Sequence, residues 1–99
     1  MPESPLKPIE DLDPALYHAI EDNRQLSLGE GALPAKYKTL IAMVLDAVQG
    51  AETGVRSLAQ AAMQAGATKE EVAEALRVAY FINGVSCMYT AARGLYGLF

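Results

Sequence analysis

Ninety-nine residues and 10.6 kDa hold a single domain. At 52% hydrophobic and 20% charged residues, with a mean hydropathy of +0.12, the chain is neither a disordered tail nor an acidic solvating segment. Eight Lys+Arg against twelve Asp+Glu give a net charge of −4, and the cations are scattered singly, which argues against a nucleic-acid surface.

Residues 1–12 carry Pro2, Pro5 and Pro8 and read as an extended N-terminal arm, proline-rich and acidic with no apolar run of a secretory signal. Asp13-Pro14 is an N-cap followed by proline at the first helical position, so a first helix is expected over residues 14–26. Leu16, Tyr17 and Ile20 would form its inner face, and Gly29-Glu30-Gly31 breaks it. A second helix starts near Pro34, with Leu40, Ile41, Val44, Leu45 and Val48 spaced for one apolar face. Gly50 interrupts it.

A third helix covers residues 51–65, lined by Val55, Leu58, Ala59, Ala62 and Met63, and Gly66 suits its C-terminal left-handed position. Thr68 and Glu71 make a capping box for a fourth helix, which runs through Val72, Leu76 and Ala79 to about Ile82 and ends at Asn83-Gly84. A fifth helix over residues 85–93 leads into a tail loosened by Gly94 and Gly97. Period-two alternation is absent, so the expected architecture is all-α, about five helices, in one domain over residues 13–99.

A chain this short buries only about 60–65% of its unfolded surface, and its alanines add little apolar area. Residues 78–92 nevertheless contain no charge. That run is too short for a membrane span and is interrupted by Asn83, Gly84 and Ser86. Its simplest home is a protein–protein interface, so a homo-oligomer is expected, with the third to fifth helices supplying much of the contact.

The stretch Ala61-Ala62-Met63-Gln64-Ala65-Gly66-Ala67-Thr68-Lys69-Glu70-Glu71-Val72, with Glu74-Ala75-Leu76-Arg77-Val78-Ala79 after it and Lys38-Thr39-Leu40-Ile41-Ala42-Met43-Val44 before it, resembles the carboxymuconolactone decarboxylase / alkylhydroperoxidase D-like superfamily. The resemblance spans most of the chain and implies an all-helical subunit assembled as a trimer or as a hexamer of three dimers. Redox members open the third helix with Cys-x-x-Cys-x-x-x-His and place a Glu twelve residues earlier. Cysteines at i and i+3 lie one helical turn apart, a helix N-terminus favours the thiolate, and His and Glu relay the proton. Carried onto this chain, the two Cys positions fall on Ala51 and Gly54, the His on Leu58 and the Glu on Thr39. None of the four is present, and decarboxylases of the family, which keep the His, differ at Leu58 as well.

Cys87 is the sole thiol, which rules out an intrachain disulfide and a cysteine-rich metal site. It is either a small apolar residue packed in an alanine-rich contact or a relocated peroxidatic cysteine activated by a helix N-terminus and by Arg56 or Arg93. Glu52 and Arg56, at i and i+4, are either a surface pair or the charged anchors of a polar ligand. With Ala51, Gly54 and Leu58 in place of Cys and His, the cleft would be roomy and apolar, bordered by Tyr80, Asn83 and Tyr89, or simply filled by neighbouring side chains. His18 lacks a second ligand and reads as a surface or rim histidine. Gly50 and Gly54 mark a tight helix entry, and Glu70, Glu71 and Glu74 a solvated helix start.

The expected function is therefore a family protein without the redox cysteines or proton relay, acting as a small-molecule-binding or scaffold oligomer. The alternative is a diverged enzyme, a Cys87-dependent peroxide or disulfide oxidoreductase or a lyase on a small organic acid. Neither a cofactor nor a metal is expected. The partners would be copies of the chain, as trimer or hexamer, and a small-molecule ligand, with no nucleic acid and no membrane, in the cytoplasm.

Overall fold

The computed structural model describes residues 4–99, which form six helices and no strand. They are α1 (Lys7–Leu12), α2 (Pro14–Leu28), α3 (Ala35–Val48), α4 (Glu52–Gln64), α5 (Lys69–Asn83) and α6 (Ser86–Leu95). No helix among the described residues is long and apolar enough to cross a membrane.

The first difference from expectation lies at the N-terminus. Residues 7–12, read as part of an extended arm, are helical, while residues 1–3 of that arm lie outside the described residues. Pro8 sits in the first turn, where its missing N–H costs nothing, and Lys7 pairs with Asp11 at 3.0 Å across one turn. Proline there starts a helix rather than preventing one. The chain breaks at Asp13 because the residue before Pro14 is held extended (φ −151°, ψ 87°). The freed Asp13 carboxylate then accepts from the Leu16 N–H at 3.1 Å and caps α2, as the Asp-Pro pair predicts.

Inner positions expected on α2 are only partly realised. Tyr17 and Ile20 are half-buried, Leu16 is exposed, and no α2 residue is fully buried. Its last turn is held instead by Lys38, whose ammonium donates to the Gly29 carbonyl at 2.7 Å, a cation at a helix C-terminus.

Helices α3 and α4 form an antiparallel hairpin through a three-residue turn. Gly50 (φ +81°) closes α3: its N–H meets the Ala47 carbonyl at 3.2 Å while that of Ala51 meets Asp46 at 2.9 Å. Gly66 (φ +104°) repeats this double closure at the end of α4 with Met63 and Ala62. The Thr68–Glu71 capping box opens α5 with both of its bonds formed, at 3.1 and 2.9 Å. Helix α6 starts one residue later and runs two residues further than predicted, so Gly94 belongs to a helix and not to a loose tail.

The core joins Leu40, Met43 and Ala47 of α3 to Val55, Ala59 and Ala62 of α4, Val72 and Ala79 of α5, and Cys87 and Ala91 of α6. Among the described residues, only Met43, Val55 and Val72 are large side chains wholly out of water. The apolar face predicted for α3 is thus turned: Leu40 is inside, but Ile41, Leu45 and Val48 face outward. Exposed large apolar side chains also line α5 and α6, whereas the outer face of α4 is largely polar, with Glu52, Arg56, Gln60 and Gln64.

Candidate functional site

The start of α4 is built by the Gly50 turn, which brings Ala51 to the N-cap position with no side chain to cap it. The other positions that the resemblance ties to chemistry lie on α3 and α4. Thr39 is buried on α3, its hydroxyl donating back to the Ala35 carbonyl at 2.7 Å and so satisfied within its own helix. Leu58 packs half-buried against the core. Gly54 lies directly under the Asp46 carboxylate, and a Cβ there would overlap Asp46 Oδ2. Asp46 therefore occupies the space that a side chain at residue 54 would need. Its negative charge over the first turn of α4 is favoured by the helix dipole.

Cys87 lies in the first turn of α6, 2% exposed. Its thiol points at two backbone oxygens, Gly84 O at 3.3 Å and Ala79 O at 3.9 Å, where an S–H donates weakly to carbonyls left at the end of α5. Neither Arg56 nor Arg93 reaches the sulfur, because both are committed elsewhere.

Those commitments replace the expected Glu52–Arg56 pair. Glu52 binds Arg93 Nε of α6 instead, an exposed ion pair across the α4–α6 contact. Arg56 Nη1 donates to the carbonyls of Tyr96 at 2.7 Å and Gly94 at 3.2 Å, so one guanidinium closes the open C-terminal end of α6. Helix packing places α6 nearer to both side chains than they are to each other.

The five residues expected to border one cleft are not gathered in one. Arg56 lines a 590 Å³ depression with Gln60, Met63 and the Gly97-Leu98 tail. Asn83 lies at the end of a separate 290 Å³ apolar groove between α3 and α5, with Val48 and Ile82. Tyr80 and Tyr89 are exposed and line neither cavity, and Glu52 sits outside both. His18 is exposed, its ring edge-on to Tyr17 with centroids 5.6 Å apart. Among the described residues no group of three or more His, Cys, Asp or Glu is placed to hold a metal ion.

One further polar pair was missed from sequence. Lys36 of α3 reaches Glu71 of α5 at 3.1 Å, each side chain 27% exposed. The Thr68 backbone N–H and the Lys36 ammonium hold the Glu71 carboxyl below its usual range, and Glu71 in turn raises Lys36. Thirty-five residues separate the two, so no local spacing announces them.

A family model, that of the carboxymuconolactone decarboxylase family, matches residues 14–95 of the chain. The chain belongs to that family. The curated proteins and the solved structures searched contain no match to it. Within this family member a single cysteine is present, so no pair of thiols can form in one chain.

Proposed function

We propose that this carboxymuconolactone decarboxylase family member is a non-redox protein that works as a homo-oligomer, binding a small molecule or serving as a scaffold. The observation that carries the reading is the state of Cys87. The only thiol is inside the core, its hydrogen directed at the Gly84 carbonyl, and both of its hydrogen-bond partners among the described residues are backbone carbonyls. Reactive cysteines need an electropositive, partly accessible setting, and this one is only 2% exposed. Thr39, which stands where the family's Glu would, bonds only its own helix, and Asp46 fills the space at Gly54, where the second cysteine would stand.

The distribution of apolar side chains supports an oligomer. Val78, Phe81 and Ile82 are 65%, 85% and 77% exposed, while the interior is mostly alanine. A subunit with more large apolar groups outside than inside is completed by association.

The test is the alkylation rate of Cys87 in the native protein across pH, together with peroxide turnover by the wild type and Cys87→Ser. Slow labelling that becomes fast on denaturation, with no turnover lost in the variant, is expected. A fast-labelling thiol with a pKa well below the free value of about 8.5, and turnover abolished in Cys87→Ser, would replace this reading with the thiol enzyme. Mass spectrometry of the native assembly tests the binding role by a co-purifying small molecule.

A further inference from the structure

Arg56, Gln60 and Gln64 stand at i, i+4 and i+8 on the polar outer face of α4, one exposed row along the helix. With Met63, Gly97 and Leu98 they line the 590 Å³ depression, a volume within the roughly 300–1,000 Å³ of ligand clefts. None of the six is acidic. Met63 and Leu98, both half-buried, are its apolar walls.

The guanidinium of this row is fixed in place. Both bonds of Arg56, to Tyr96 O at 2.7 Å and Gly94 O at 3.2 Å, leave from Nη1. The opposite edge, Nε with Nη2, makes neither bond, and that edge is the fork that takes a carboxylate side-on. Glu52, one turn earlier on α4, is paired with Arg93. Among the described residues no carboxylate is paired with Arg56. A cation held by two carbonyls and left without a counter-charge is preorganised for an anion.

We propose that this row binds the C-terminal end of a peptide in extended form. The Nε–Nη2 edge of Arg56 takes the terminal carboxylate, while the Gln60 and Gln64 carboxamides pair with the main chain. The proposal gives the binding role above its ligand class; it rests on that role and not on Cys87.

Spacing selects this ligand. A carboxamide presents a donor and an acceptor side by side, which match the N–H and C=O of one residue in an extended strand. Alternate residues of such a strand repeat that pair on one edge about 6.6–6.8 Å apart. Side chains four apart on a helix rise by about 6 Å, close to the same step. From Arg56 to Gln64 the row is about 12 Å long, the reach of about four extended residues. A single small acid would engage Arg56 alone. Main-chain pairing beside an adaptable methionine tolerates several side chains, so the free carboxylate should matter more than peptide sequence.

Fluorescence anisotropy tests this with a fluorescein-labelled tetrapeptide of alanine and leucine, as the free acid and as the C-terminal amide. Saturable binding of the free acid by the wild type is expected, with the amide weaker by about tenfold or more. The double variant Gln60→Ala, Gln64→Ala should also lose about tenfold or more for the free acid. Equal affinity for the two peptide forms, or unchanged affinity in the double variant, would overturn the proposal. So would acetate displacing the labelled peptide as readily as the unlabelled peptide does, since the row would then be a bare anion contact. Should the double variant fail to fold, the acid–amide comparison on the wild type decides alone. A co-purifying small molecule without peptide binding would overturn this ligand and leave the binding role standing. Absence of both would overturn the two together.

Discussion

Gly94 of α6 lies against Val55 of α4 so closely that a Cβ on the glycine would stand 2.9 Å from Val55 Cβ and Cγ1, and 2.7 Å from the Glu52 carbonyl oxygen. Val55 is fully buried and the carbonyl belongs to a helix, so neither neighbour yields cheaply. The α4–α6 crossing is set by the absence of a side chain at residue 94.

Gly94→Ala should therefore destabilise the fold by about 1–3 kcal/mol, the usual cost of overpacking, despite the better helix propensity of alanine. Gly54→Ala is the internal contrast. The atom in its way is the end of the Asp46 side chain, which swings outward, so a helix gain of up to about 1 kcal/mol should offset most of that displacement. Urea midpoints of the two variants measure the difference. Equal loss in both would contradict the assigned contacts.

Arg56 and Arg93 should behave differently although both are exposed arginines at one helix contact. Arg56→Ala strips a donor from two carbonyls at the end of α6 and is expected to cost about 1–2 kcal/mol. It should also speed proteolysis within residues 96–99. Arg93→Ala removes only a solvent-exposed ion pair and should cost under about 1 kcal/mol, less still in high salt. Thermal melts at two salt concentrations, with limited proteolysis, check both.

Glu71 links stability to pH. Its carboxyl is lowered from the ordinary 4.5 by the Thr68 N–H and Lys36, so its contribution is whole above that value and is lost as the pH falls through the lowered one. Lys36, raised from 10.5 chiefly by Glu71, contributes fully below that value and loses its share as the pH rises through the raised one. Glu71→Gln keeps an acceptor for Thr68 but no charge for Lys36. Its stability should decline less steeply than the wild type's between about pH 5 and pH 2. A denaturant midpoint series over that range checks it, and parallel curves would count against the pairing.

Gly66 and Thr68 test the α4–α5 junction. Gly66→Ala forces a Cβ into a left-handed conformation and should cost about 1 kcal/mol. Thr68→Ala, which removes the side-chain cap but leaves the Glu71 return bond, should cost a similar amount. Chemical denaturation of each variant gives the comparison.

Helix ends were readable because their causes are local. Asp13 before Pro14, Gly50, Gly66, Thr68 with Glu71, and Gly84 act on backbone groups within a few residues of themselves, so residue order alone announces them. Family membership was legible for the same reason, through the pattern around that α4–α5 junction. Faces and partners were not. Helix α3 carries apolar residues on more than one side, and periodicity does not say that Leu40 and Met43 turn inward while Ile41 and Leu45 turn out. Glu52 has two arginines within reach, and the nearness of α6 selected Arg93, forty-one positions away, over Arg56 on the next turn. The setting of Cys87, its thiol on the Gly84 carbonyl, likewise exists only once α5 and α6 meet. Local hydrogen bonding sets where each helix begins and stops, whereas side-chain partners depend on how whole helices pack, a balance over contacts far apart in the chain.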